Sequence, residues 1–128
     1  MNYGFTKELG LSFEKVKELV AEELKKEGFG ILTEIDIQGK LKEKLGIDFR
    51  RYVILGACNP PNAYKSIMAE ENIGLMLPCN VIIYEKGVKT VLSIIKPTVA
   101  MQMIDNKELS PIATFIEEKL KKVFEAVQ

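Results

Sequence analysis

The run Asn80-Val81-Ile82-Ile83-Tyr84-Glu85, then Lys86-Gly87, then Val88-Lys89-Thr90-Val91-Leu92-Ser93-Ile94-Ile95 decides the architecture. Both flanks are rich in β-branched and aromatic residues, which suit a pleated, half-buried surface. Lys86-Gly87 between them is a tight-turn signal, so the two runs form an antiparallel hairpin. Elsewhere, strand-like and helix-like segments mix without strict β-α-β alternation. The expectation is an α+β domain with a mainly antiparallel sheet, covered on one face by the first and last helices.

Upstream of the hairpin, Phe49 to Ala57 is again β-branched and aromatic and reads as an interior strand. Asn59-Pro60-Pro61 opens a helix. Proline disfavours helical geometry in the residue before it, so Pro61 is expected as the first helical residue. Ala63, Ile67 and Met68 are its candidate inward positions, and Asn72-Ile73-Gly74 closes it. Earlier still, Asn2 to Lys7 can be a strand with Tyr3 and Phe5 on one face. Ser12 is an N-cap for a helix with Phe13, Val16, Leu19, Val20 and Leu24 at helical spacing, ended by Gly28. Phe29, Ile31, Thr33 and Ile35 alternate, predicting a strand with one buried face. Ile37, Leu41 and Leu45 predict a short helix or turn stopped by Gly46. Downstream, the chain is irregular or briefly helical from Lys96-Pro97 through Met101 to Ile104. Ser110-Pro111 then caps a last helix with Ile112, Phe115, Ile116, Leu120, Val123, Phe124 and Val127 on its apolar face.

The 128 residues fit a single domain, 1–128, with no repeat, linker or low-complexity stretch. Eighteen basic residues balance eighteen acidic ones, so no overall field draws the chain to nucleic acid or an anionic membrane. The longest apolar stretch, Ile73 to Tyr84, is broken by Pro78 and Asn80 and is too short to span a bilayer. The N-terminus lacks the basic start and apolar run of a signal peptide. A soluble, cytoplasmic protein is expected. Histidine is absent, which removes Ser-His and Cys-His dyads and imidazole-ligated metals. Gly28-Phe29-Gly30 lacks the third glycine of a dinucleotide loop. The methionines Met68, Met76, Met101 and Met103 read as adaptable core fillers.

Two cysteines carry the remaining chemistry, each followed by asparagine: Cys58-Asn59-Pro60 and Leu77-Pro78-Cys79-Asn80. Cys58 ends a strand just ahead of a helix N-terminus, where the helix dipole stabilises a thiolate. Cys79 begins the next strand. Antiparallel pairing of those strands puts both thiols at one end of the sheet. The tight spacing CxxC is absent. Free cysteines are also among the most buried residue types, so a plain core role competes with thiol or metal chemistry. Asn59 and Asn80 suit caps and turns. Tyr64 and Lys65, at the start of the helix, can face the site, but the leading expectation is that one packs and the other is exposed. Arg50 and Arg51 are the only arginines, and on a strand they point to opposite faces.

The stretch Tyr52-Val53-Ile54-Leu55-Gly56-Ala57-Cys58-Asn59-Pro60, with Ala63, Tyr64-Lys65, Ile73-Gly74-Leu75 and Leu77-Pro78-Cys79-Asn80-Val81, resembles the signature of the domain of unknown function 302 family. The match is dense from Tyr52 to Glu85, and the flanking elements extend it over essentially the whole chain. The resemblance implies a curved antiparallel sheet with helices on one side, similar to the repeat of TATA-binding protein, and carries no DNA function. It also implies self-association, so a homodimer is expected.

A small binding protein is therefore expected, leaning away from an enzyme, with a pocket for a small ligand or soft metal near the two Cys-Asn segments. Its candidate ligand-binding residues are Cys58, Asn59, Pro60, Tyr64, Pro78, Cys79 and Asn80. Cys58 and Cys79 are the candidate ligands of a zinc or copper ion, although no tightly bound cofactor is the leading expectation; a carboxylate or a second subunit would have to complete such a metal site. The alternative is thiol, sulfur-transfer or redox chemistry, with Cys58 as the attacking and Cys79 as the resolving thiol, both being candidate catalytic residues. A purely structural dimeric interaction module is the remaining reading.

Overall fold

The computed structural model describes residues 2–128. The chain runs β1 (Gly4–Leu9), α1 (Phe13–Lys26), β2 (Gly30–Asp36), α2 (Ile37–Leu45), β3 (Tyr52–Cys58) and α3 (Pro60–Ala69). A turn of 3-10 helix at Glu71–Met76 leads to the hairpin β4 (Cys79–Lys86) and β5 (Lys89–Ile95). A short α4 (Pro97–Ala100) and the long α5 (Leu109–Ala126) complete it. The five strands form one antiparallel sheet in the order β1-β5-β4-β3-β2. The class is α+β, and the hairpin lies at the middle of the sheet with Gly87 at φ 60 in its turn.

Side-chain alternation gives the sheet two unlike faces. Val53, Leu55 and Ala57 of β3 stand opposite Ile83, Val81 and Cys79 of β4, and Val81 and Ile83 stand opposite Ile94 and Leu92 of β5. This inner face meets Val16, Val20 and Leu24 of α1 and Ile116, Leu120 and Val123 of α5 in a single core. Each fully buried aliphatic side chain there contributes about 1.5–3 kcal/mol relative to exposure. On the outer face Tyr52 stacks on Tyr84 with centroids 5.2 Å apart, and Ile54 stands opposite Ile82.

Local signals explain the element ends. Ser12 accepts from the Lys15 N–H at 3.1 Å and starts α1; Gly28, at φ 84, follows its end. Asp36 caps α2 through the Gly39 N–H, and Gly46 in the left-handed region stops it. Arg50 and Arg51 lie just ahead of β3 rather than in it, yet still diverge. Arg51 pairs with Glu14 and lies over the Phe13 ring, while Arg50 lies over Phe49 and Tyr84.

Several expectations are corrected. β2 buries no face; every residue in it is exposed, because Glu34 and Asp36 hold the inner positions and Ile35 faces the open side opposite Ile54. Helix α3 begins at Pro60, one residue early, since Asn59 is the N-cap. Its buried positions are Asn62 and Ser66, while Ile67 and Met68 are exposed. It ends at Ala69, before Asn72-Ile73-Gly74, which lies in the 3-10 turn. The last helix begins at Leu109, placing Ser110-Pro111 inside its first turn, and Phe115 is exposed. Met68 and Met103 are exposed rather than core fillers. Among the described residues no helix is long and apolar enough to cross a membrane.

Candidate functional site

The end of β3 and the start of α3 are locked by one asparagine. Asn59 Oδ1 accepts from the Asn62 backbone N–H at 3.4 Å and from Asn62 Nδ2 at 2.8 Å. Its own Nδ2 donates to the Glu27 carbonyl at 3.5 Å. Ser66 donates its hydroxyl to the Asn62 carbonyl at 2.8 Å, one turn further along. Pro60 follows at the first helical position, where a missing N–H costs nothing. Three polar side chains are thus buried at little cost, because each is bonded locally.

The start of β4 is fixed by a close approach instead. Leu77-Pro78 is a cis peptide, and the Pro78 ring lies over Gly56 of β3. A Cβ at Gly56 would come within 2.7 Å of Pro78 Cγ and would also overlap the Thr33 hydroxyl. Cys79 comes next, opposite Ala57 on the inner face. Burial pushes its thiol up to about 11, away from the reactive range.

Between these two segments and α5 lies a cavity of about 300 Å³. Cys58, Asn59, Pro78 and Cys79 line it, together with Phe29 and Leu32 from the β2 side. Asn62, Ala63, Ser66 and Ile67 form the α3 wall, Pro97 and Met101 close one side, and Ile112, Ala113 and Ile116 of α5 complete it. No residue of the lining carries a charge. Among the described residues no buried side-chain polar atom lacks a hydrogen-bond partner.

Of the candidate residues read from the sequence, Cys58, Asn59, Pro78 and Cys79 line this cavity, while Pro60 and Tyr64 do not. Tyr64 is 66% exposed on the outer side of α3. Asn80 is not a cap or turn residue; it lies in β4, exposed, and borders a separate hollow of about 220 Å³ with Met76 and Ile95. Sequence reasoning missed Asn62, Ser66 and the α5 wall. The Asn-x-x-Asn-x-x-x-Ser spacing from Asn59 to Ser66 could have flagged a polar stripe along α3. Ile112 belongs to the apolar periodicity of α5, but neither it nor Ala113 carries a local sign of a cavity wall.

The two cysteines do not form a pair. Both sit at the same end of the sheet, but Cys79 stands opposite Ala57, whereas Cys58 stands opposite Gly30 of β2. Both are free thiols and half-buried. No cluster of three or more His, Cys, Asp or Glu side chains able to hold a metal ion occurs among the described residues. The expected site where the two sulfurs meet is therefore replaced by an apolar cavity that each borders separately.

Residues 5–127 match the model of the family described as domain of unknown function DUF302. The crystal structure of an uncharacterised conserved DUF302 protein from Bacillus stearothermophilus is similar to this chain with a TM-score of 0.92, at 31% sequence identity over 100% of both chains. No curated protein matches.

Proposed function

The chain belongs to the DUF302 family, and on that premise we propose that it is a binding protein for a small organic ligand held in the cavity between α3, α5 and the β3–β4 end of the sheet. The observation that supports this is the cavity itself. Its volume of about 300 Å³ lies at the lower end of the range of small-molecule sites, and its lining is apolar with a few buried polar groups. Both Cys-Asn segments border it, Cys58 and Asn59 from one and Leu77, Pro78 and Cys79 from the other. Exchange between two thiols would need the sulfurs to meet, and a metal would need further ligands. Among the described residues neither requirement is met.

A fragment screen followed by amide chemical shifts tests the reading. Hits should shift Cys58, Ala63, Ser66, Met101 and Ile112. Ala63→Phe, which fills the space from the half-buried side of α3, should abolish those shifts while the spectrum stays folded. Hits that map instead to Ile54 and Ile82 on the open sheet face would sink the proposal.

A further inference from the structure

The walls of the cavity carry no charge. Phe29, Met101, Ile112 and Ile116 present hydrocarbon, Asn59 Oδ1 accepts from Asn62 Nδ2, and Ser66 donates to the Asn62 main-chain carbonyl. A charged group drawn inside would lose its hydration without a counter-charge. The space admits on the order of ten to twenty non-hydrogen atoms, judged by the volume a water needs. A hydrocarbon chain of medium length fits that description.

A groove of about 410 Å³ adjoins the cavity and shares Asn62 and Ile112 with it; Lys65, Pro111 and Phe115 line the rest. Lys65 is the one charged residue of this groove. It is exposed and enters none of the salt bridges among the described residues. The neighbouring cation, Lys119, lies 5.0 Å from the Phe115 ring centroid but is paired with Glu27 at 3.7 Å. A cation outside every salt bridge among the described residues thus lines the groove that shares Asn62 and Ile112 with the apolar cavity.

We propose, resting on the cavity reading above, that the ligand is an anionic amphiphile: its hydrocarbon tail occupies the cavity and its negatively charged head meets Lys65. Tail burial supplies the affinity, and the lysine selects the sign of the head group. Phosphate, sulfate and carboxylate heads share this chemistry.

Three probes with the same tail separate the parts: octanoate, 1-octanol and octylammonium, titrated at low ionic strength and followed by amide shifts. All three should move Ala63, Met101 and Ile112. Octanoate should bind about five-fold tighter than octylammonium, the effect of an attraction and a repulsion each at an exposed-pair magnitude. Lys65→Glu, at an exposed position that should not disturb folding, should reverse that preference and leave 1-octanol unchanged. Equal binding of the two charged probes, or a preference untouched by Lys65→Glu, would overturn the head-group assignment while leaving the cavity as a site. If none of the probes shifts the cavity residues, both readings fail.

Discussion

Replacing Gly56 by alanine tests the contact that sets the start of β4. Gly56 needs no unusual backbone angle; it is glycine because of what lies above it. An added Cβ would sit 2.7 Å from Pro78 Cγ and collide with the Thr33 hydroxyl. The two neighbours differ in how they can yield. Thr33 can rotate, and it lies on the edge strand β2, where the register already shifts between Ile31 and Thr33. Pro78 has no rotamer to change, and its chain neighbours Leu77 and Cys79 line the cavity. Overpacking of this kind costs about 1–3 kcal/mol. Alanine recovers roughly 0.5–1 kcal/mol of the entropy that glycine loses on folding. With two close contacts the upper half of the overpacking range applies, so the expected net loss is about 1–2.5 kcal/mol, or a fall in Tm of about 4–10 °C for a chain of this size. Urea unfolding followed by circular dichroism measures it, with the slope against denaturant unchanged. Thr33→Ala added to Gly56→Ala should restore less than half of the loss, because the proline contact remains. A variant within about 0.5 kcal/mol of the parent, inside the ordinary scatter of neutral substitutions, would refute the argument. Full rescue by Thr33→Ala would assign the contact to the wrong neighbour.

Two other predictions follow from the cavity walls. With Cys79 pushed from about 9 to about 11, folding favours the neutral thiol, so its contribution is fully present below pH 9 and is lost as pH rises through 11. Two units correspond to about 2.7 kcal/mol as an upper bound. Cys79→Ala should therefore lose less stability than the parent between neutral and alkaline pH, and native Cys79 should alkylate on the order of 100-fold more slowly than a free thiol; parallel alkaline limbs for the two proteins would contradict this. Asn59→Ala removes the α3 cap and leaves Asn62 Nδ2 without its acceptor, at a cost of about 1–2 kcal/mol in denaturant unfolding. Asn59→Ser keeps a capping acceptor without burying a charge and should cost less; equal losses would show that capping is not its role.

The features legible in the sequence were those set by local chemistry. Lys86-Gly87 between two β-branched runs, Ser12 before a periodic helix and Gly46 after one each act through neighbouring backbone groups, and each stands where it was expected. β2 shows what periodicity leaves out. Thr33 and Ile35 do share a face, but it is the open face of an edge strand, and only the position of the helices could reveal that. Helix α3 fails for a different reason. Apolar spacing favoured Ile67 and Met68 as inward positions, whereas the cap at Asn59 orients the helix so that Asn62 and Ser66 turn in. Polar side chains bonded to one another can be buried, and a hydrophobic pattern is blind to them.

The likeness of the two Cys-Asn segments hides a division of labour. Asn59 caps a helix while Asn80 is an exposed strand residue, and Cys58 and Cys79 pair with different strand neighbours although both end up beside the same space. What the segments share is position: they are the two ends of the excursion that leaves β3, runs through α3 and returns as β4. Such an excursion can enclose a chamber only if something closes its far side, and here α5 does so with Ile112, Ala113 and Ile116. The site is then a property of long-range packing, with thiols as part of its wall. A ligand selected by such a wall is chosen by shape and hydrocarbon content, and any discrimination by charge has to come from outside it, as from Lys65 in the adjoining groove.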